Sequence, residues 1–127
     1  MNNILSIIVS LLFAFNYSSE KQSDFKWDKK SVDYGYIQIK NNRQKITAKF
    51  TFENIGKENI VIYDVRTFCD CTQVTWSKQP IKPKETGWVI VEYNPKGKSG
   101  YFEKKILVKT NTNNKSHVLK IKGLIKI

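Results

Sequence analysis

The sequence predicts an all-β fold, an antiparallel immunoglobulin-like β-sandwich of about seven strands preceded by an apolar N-terminal signal helix. Three observations predict it. Ile46, Ala48, Phe50 and Phe52 alternate with Thr47, Lys49, Thr51 and Glu53, the period-2 pattern of a strand with one buried face. Clusters of Asn, Gly and Pro recur between short runs of this kind, and these residues tolerate positive φ or fix φ at about −65°. No stretch keeps the apolar period of a helix, so nothing is available to carry the chain across between parallel neighbours.

Taken in order, strands are expected at 34–39, 46–53, 60–65, 72–76, 87–93, 102–109 and 118–125, all rich in β-branched and aromatic residues. The turns between them fall at Asn41-Asn42, Asn54-Ile55-Gly56-Lys57, Pro80-Ile81-Lys82-Pro83, Asn94-Pro95-Lys96-Gly97 and 111–115. A chain of 127 residues, 40% hydrophobic and 26% charged, has the make-up of a folded protein, and its length suits one core. One domain is expected over 20–127.

Residues 1–19 read as a signal peptide. The run Ile4 to Phe15 is 12 apolar residues, short of the roughly 20 that span a bilayer and suited to the central region of a secretory signal. Asn16-Tyr17-Ser18-Ser19 supplies small residues for cleavage near Ser18 or Ser19, and no Cys directly follows the run to carry a lipid anchor. An exported protein, periplasmic or secreted, is expected, touching a membrane only through an uncleaved signal.

The net charge is +11, from 22 Lys plus Arg against 11 Asp plus Glu. Only Arg43 and Arg66 are Arg, whereas nucleic-acid readers rely on Arg for bidentate contacts. The Lys are scattered, with doublets at Lys29-Lys30 and Lys104-Lys105 and no longer block. A solvated Lys-rich surface is expected, with no specific nucleic acid as partner; binding of an anionic polymer through surface Lys is an alternative.

The order Phe50-x-Phe52-x-Asn54-x-Gly56, Ile60-Val61-Ile62, Phe68-Cys69-Asp70-Cys71-Thr72, Trp76, Pro80-Ile81-x-Pro83, Val91-x-Tyr93-Asn94 and Gly100-x-Phe102 resembles the bacterial domain-of-unknown-function 1573 family over residues 46–111. The resemblance implies an exported immunoglobulin-type sandwich related to the sperm-protein and pilus-chaperone-like folds, and it carries over no catalytic residue. Two positions depart from the family pattern. Asp70 stands where Gly usually separates the cysteines, and Lys84 stands where Gly commonly follows the proline.

Cys69 and Cys71 are the only cysteines and form a candidate disulfide or thiol pair. In a flat strand residues i and i+2 lie about 6.6 Å apart with parallel side chains, so a bridge needs a turn, with Asp70 as its corner. The redox alternative lacks the two-residue spacing and helix N-terminus that usually activate a thiolate pair. His117, the only histidine, is too little to complete a four-ligand zinc site; a Cu(I) ion on two thiolates is the one metal the count permits. Neither a cofactor nor a metal is expected. The segment 68–72 is expected to bend at one end of the sandwich, with Phe68 turned into the core and the Asp70 carboxylate at solvent or capping an N–H.

Other signatures fail. Gly97-Lys98-Ser99 imitates the end of a phosphate loop, but Glu92 replaces the required first glycine. A catalytic triad would rest on His117 alone, which is expected at the surface. Glu53 with Glu58 and Asp64 with Asp70 are read as surface carboxylates without a sugar-sized cleft. Of the tryptophans, Trp88 is expected in the core, Trp76 as a cap on the sandwich and Trp27 as an exposed ring. No catalytic residue is assigned. The expected function is a non-enzymatic envelope module that binds another protein, with an open sheet edge as the means; the alternative is a thiol redox or Cu(I)-binding protein acting through Cys69 and Cys71.

Overall fold

A computed structural model describes residues 25–41 and 43–127, so the expected signal peptide lies outside the described residues. Eight strands are present among the described residues: β1 (Phe25–Trp27), β2 (Ser31–Gln38), β3 (Ile46–Asn54), β4 (Ile62–Thr67), β5 (Thr72–Trp76), β6 (Thr86–Tyr93), β7 (Gly100–Thr110) and β8 (Ser116–Lys126). They form two four-stranded sheets, ordered β1-β3-β6-β5 and β2-β8-β7-β4. This is the immunoglobulin-like arrangement in which the first strand is split and gives one half to each sheet.

The split accounts for two differences from the sequence-based expectation. The strand count is eight because Phe25–Trp27 pairs antiparallel with β3, Trp27 opposite Phe52. The sandwich is also not wholly antiparallel, since β2 runs parallel to β8, with Ser31 opposite Lys120. The two partners come from opposite ends of the described chain. The chain between them supplies the crossover that a helix supplies in an α/β unit. A bulge between Asp33 and Tyr36 interrupts this pairing, and Gly35 takes φ +60° there, a conformation that glycine adopts at little cost.

Alternation builds the core. Ile46, Ala48, Phe50 and Phe52 of β3 and Val89, Val91 and Tyr93 of β6 face Phe102, Ile106 and Val108 of β7 and Leu119, Ile121 and Ile125 of β8, all buried. β4 begins two residues later than expected, because Ile60 forms an isolated bridge with Ile81 instead.

Asn54 ends β3 and is fully buried. Its Nδ2 donates to the carbonyls of Glu58, at 2.8 Å, and Ile81, at 2.9 Å, and its Oδ1 accepts from the Gly56 N–H at 2.9 Å. One amide thus ties three chain segments at this end of the sandwich, a reason for the N-x-G spacing that composition alone leaves open. At the same corner Lys84 adopts φ 69°, the left-handed region that favours glycine, while its N–H donates to the Asn54 carbonyl at 2.7 Å.

Three side chains stand otherwise than the sequence suggests. His117 is buried, 3% exposed, because it lies in the inward phase of β8 with Leu119 and Ile121. Trp27 is half-buried: its ring packs 5.0 Å from Phe52 and 5.9 Å from His117, centroid to centroid. Trp88 is only half-buried on the outer face of β6, between the buried Gly87 and Val89. Trp76 closes β5 and packs partly against the core, with the Lys78 ammonium over its ring.

Candidate functional site

β4 and β5 are edge strands of different sheets, and the four residues from Phe68 to Cys71 carry the chain from one to the other. Asp70 and Cys71 form the turn. It brings the Cα atoms of Cys69 and Cys71 to 5.2 Å, and the two residues are joined by a disulfide. A flat strand would hold them about 6.6 Å apart, so the turn is what makes the bridge possible. The Thr72 N–H donates to the Cys69 carbonyl at 3.2 Å, and the Thr67 hydroxyl donates to the same carbonyl at 3.3 Å. The Asn94 N–H, donating to the Cys71 carbonyl at 2.9 Å, fastens the turn to the end of β6.

Asp70 is exposed, as the bend implies. Phe68 is not in the core: it is 77% exposed. The irregularity between Ile62 and Asp64 shifts the phase of β4, so Val65 and Thr67 take the inward positions and Phe68 falls on the outward one. An outward ring beside a disulfide is the most exposed large apolar side chain among the described residues.

A shallow depression flanks each sulfur. One, of about 270 Å³, is lined by Thr67, Phe68, Cys69, Thr72, Glu103, Lys104 and Lys105. The other, of about 140 Å³, is lined by Lys45, Asp70, Cys71, Gln73, Glu92, Asn94 and Lys96. Lysines stand in both. Lys104 takes an inward phase of β7 and reaches over the Tyr93 ring, 5.3 Å from its centroid, as a long side chain does when its stem packs and its head stays wet. Lys45 pairs with Glu92 at 2.8 Å. Glu103 is held below the ordinary carboxylate range by hydrogen bonds from Tyr101 and Lys120, so it is ionised beside the first depression.

β5 leaves one side of its backbone unpaired within the described sheets. The Cys71 carbonyl bonds to Asn94 and the Ser77 N–H to the Trp88 carbonyl. In the antiparallel β5–β6 register this places the backbone bonds to β6 at 71, 73, 75 and 77. Val74 and Trp76 therefore turn their N–H and C=O to the free edge.

The remaining sequence candidates are not brought together. His117 Nδ1 accepts a hydrogen bond from the Trp27 indole N–H at 3.4 Å, and its Nε2 is buried with no partner of good geometry among the described residues. Burial, and after it the Lys30 charge, hold its pKa below the ordinary value, with the Asn114 carbonyl acting in the opposite direction. Asp64 is occupied by the Arg66 guanidinium at 3.0 Å, which lowers its pKa, while Glu53 is exposed on the outer face of β3. Gly97-Lys98-Ser99 follows a turn in which Lys98 N–H donates to the Pro95 carbonyl. In the disulfide neither Cys69 nor Cys71 offers a thiolate to a Cu(I) ion.

Residues 25–125 match the sequence profile of the family described as protein of unknown function (DUF1573). Among solved structures, a protein of unknown function from Porphyromonas gingivalis W83 is similar at 15% identity and TM-score 0.66, over 87% of this chain and 50% of that one. The ASH/PapD-like domain 7 of human CEP192 is similar at 8% identity and TM-score 0.65, over 87% and 91% of the two chains. WR4, a C. elegans MSP family member, is similar at 10% identity and TM-score 0.55, over 83% and 100%. At such identities the likeness shows the fold alone, and this chain spans half the length of the Porphyromonas protein. A comparison with curated proteins finds no match.

Proposed function

The chain belongs to the DUF1573 family of proteins of unknown function, and from that footing we propose that it is a non-enzymatic, exported module of the bacterial cell envelope that binds another protein through the free edge of β5. The observation that carries the reading is the pairing of an open backbone ladder at Val74 and Trp76 with the exposed Phe68 ring at its head. An added strand would bond to the ladder while its apolar side chain covers the ring, the division of labour of strand addition. Export is supported by the apolar run at Ile4 to Phe15, and the disulfide suits an oxidising compartment.

Val74→Pro tests the edge. Proline is tolerated where the missing N–H faces away from the sheet, yet it blocks an incoming strand. The expected result is that envelope protein cross-linked to the wild-type chain is lost from Val74→Pro while the circular dichroism spectrum is unchanged. Retention of the same protein by Val74→Pro would overturn the reading.

A further inference from the structure

We propose that the Cys69–Cys71 disulfide is a thiol-exchange site that forms a mixed disulfide with a cysteine-bearing polypeptide, the incoming sulfur joining Cys71 and Cys69 leaving. This goes beyond the edge-binding reading and does not depend on it; the bridge is consumed as a stoichiometric reactant, so the module remains non-enzymatic. The bridge closes a very short ring, its cysteines separated by two positions. The loop-closure entropy that makes most bridges stabilising is correspondingly small. Both cysteines are half-buried rather than enclosed, and each lines a depression open to solvent. A bridge that adds little to the fold yet sits at the surface beside an unshielded aromatic ring is placed for chemistry.

The surroundings distinguish the two sulfurs. The Cys71 N–H points at Cys69 Sγ at 3.3 Å, and because donor and sulfur belong to the same turn, the contact remains available after the ring opens. It supports negative charge on Cys69. Lys104 and Lys105 stand at the depression beside Cys69 and act in the same sense. Asp70, its Oδ1 4.0 Å from Cys69 Sγ, and the ionised Glu103 at the same depression act against it. Among the described residues the hydrogen-bonding contact of Cys71 Sγ is the Thr72 hydroxyl, at 3.8 Å; of the two lysines at its depression, Lys45 is engaged by Glu92, which leaves Lys96.

The step balances without an outside oxidant. The attacking cysteine gives its proton to water, and its thiolate displaces Cys69 from Cys71 Sγ. One S–S bond forms as the other breaks, the electron pair departs on Cys69 Sγ, and that sulfur then takes a proton from water. Where the polypeptide carries a second thiol, this attacks the polypeptide's own sulfur in the mixed disulfide. Cys71 is then released as a thiol. The polypeptide has lost two electrons and two protons, and the Cys69–Cys71 pair has gained them.

The test uses the full oxidised chain and reduced glutathione as the probe, with acid quenching, digestion and mass mapping of the adduct. The expected adduct is on Cys71. Exchange should be several-fold faster in Asp70→Asn, which removes the opposing charge from the leaving sulfur, and several-fold slower in the double variant Lys104→Ala/Lys105→Ala. A bridge shielded from attack by the fold would show neither response. Val74→Pro should exchange with glutathione at the wild-type rate, so loss of partner capture in that variant bears on the edge and not on the thiol site. A bridge that resists glutathione until the protein unfolds, an adduct distributed equally over both cysteines, or a rate indifferent to all three charge changes would overturn the proposal.

Discussion

The ring of Phe52 occupies the space in which a side chain on Gly87 would stand. The two residues are paired across β3 and β6, and a Cβ on Gly87 would collide with Cζ and lie 2.8 and 2.9 Å from Cε1 and Cε2 of the ring. The other sheet repeats the device with Phe102 and Gly123, also paired across strands, where a Cβ would lie 2.9 Å from Cε1. In each case an aromatic ring covers a glycine backbone and fills the volume its missing side chain leaves.

Gly87→Ala should therefore be strongly destabilising, by about 2–3 kcal/mol, since Phe52 is fully buried and has nowhere to move. Pairing it with Phe52→Leu should recover part of the loss, giving a non-additive double-mutant cycle. Urea denaturation of the three variants measures both effects.

Asn54→Ala should cost about 2–4 kcal/mol, because it strands the carbonyls of Glu58 and Ile81 and the N–H of Gly56 in a buried corner. Asn54→Asp should be nearly as damaging, since an ionised carboxylate has no N–H for the two carbonyls. Comparable stability of Asn54→Asp and the wild type in denaturant would show that the donor side of the amide is unimportant.

His117 makes stability depend on pH. Burial lowers its folded-state pKa below the ordinary 6.5, so as the pH falls the unfolded chain takes up a proton first. The His117 contribution is fully present above about 6.5, is lost as the pH falls from there towards the folded-state pKa, and changes no further below it. Protonation would also place a hydrogen on Nδ1, where the Trp27 indole N–H now donates. Tryptophan-fluorescence unfolding curves between about pH 5 and 8 should show this slope, and His117→Leu should remove it.

Lys84→Gly should raise stability by at most about 1 kcal/mol, because the left-handed φ of 69° costs a side chain roughly that much while glycine gives part of it back as unfolded-chain entropy. Lys84→Val should lower stability, a branched Cβ being worse placed still. Thermal melts of the pair give the sign.

Phe68→Ala should change stability by less than about 0.5 kcal/mol, the ring being 77% exposed. A buried phenyl would have cost about 3 kcal/mol or more. The same variant should weaken capture of the envelope protein, which separates a ring held for binding from one held for packing.

How much of this was legible depends on whether local pattern or distant pairing decided the outcome. β3, β6, β7 and β8 could be read because alternation is set along a single strand and half-burial enforces it. β1 could not, since Phe25 and Trp27 are its only apolar residues beside Lys26 and Asp28 and its order comes from pairing with β3. The parallel partner of β2 was equally hidden. His117 was readable in principle: Leu119, Ile121, Gly123 and Ile125 alternate, and extending their phase by two residues lands on His117. At the disulfide turn the bend followed from spacing, whereas the outward ring of Phe68 followed from an irregularity in β4 that the sequence does not mark.

The parallel pairing of β2 with β8 also governs the order in which the protein can be completed. Ser31 meets Lys120, a residue synthesised 89 positions later, and β8 is the interior strand that joins β2 to β7. One half of the sandwich, β1 with β3, β6 and β5, has all its members available once Tyr93 has emerged. The other waits for the final strand, holding the inner faces of β2, β4 and β7 exposed until then. Such late, long-range closure makes for slow folding and a vulnerable nascent chain, so truncation within 116–126 would remove far more than the strand it deletes.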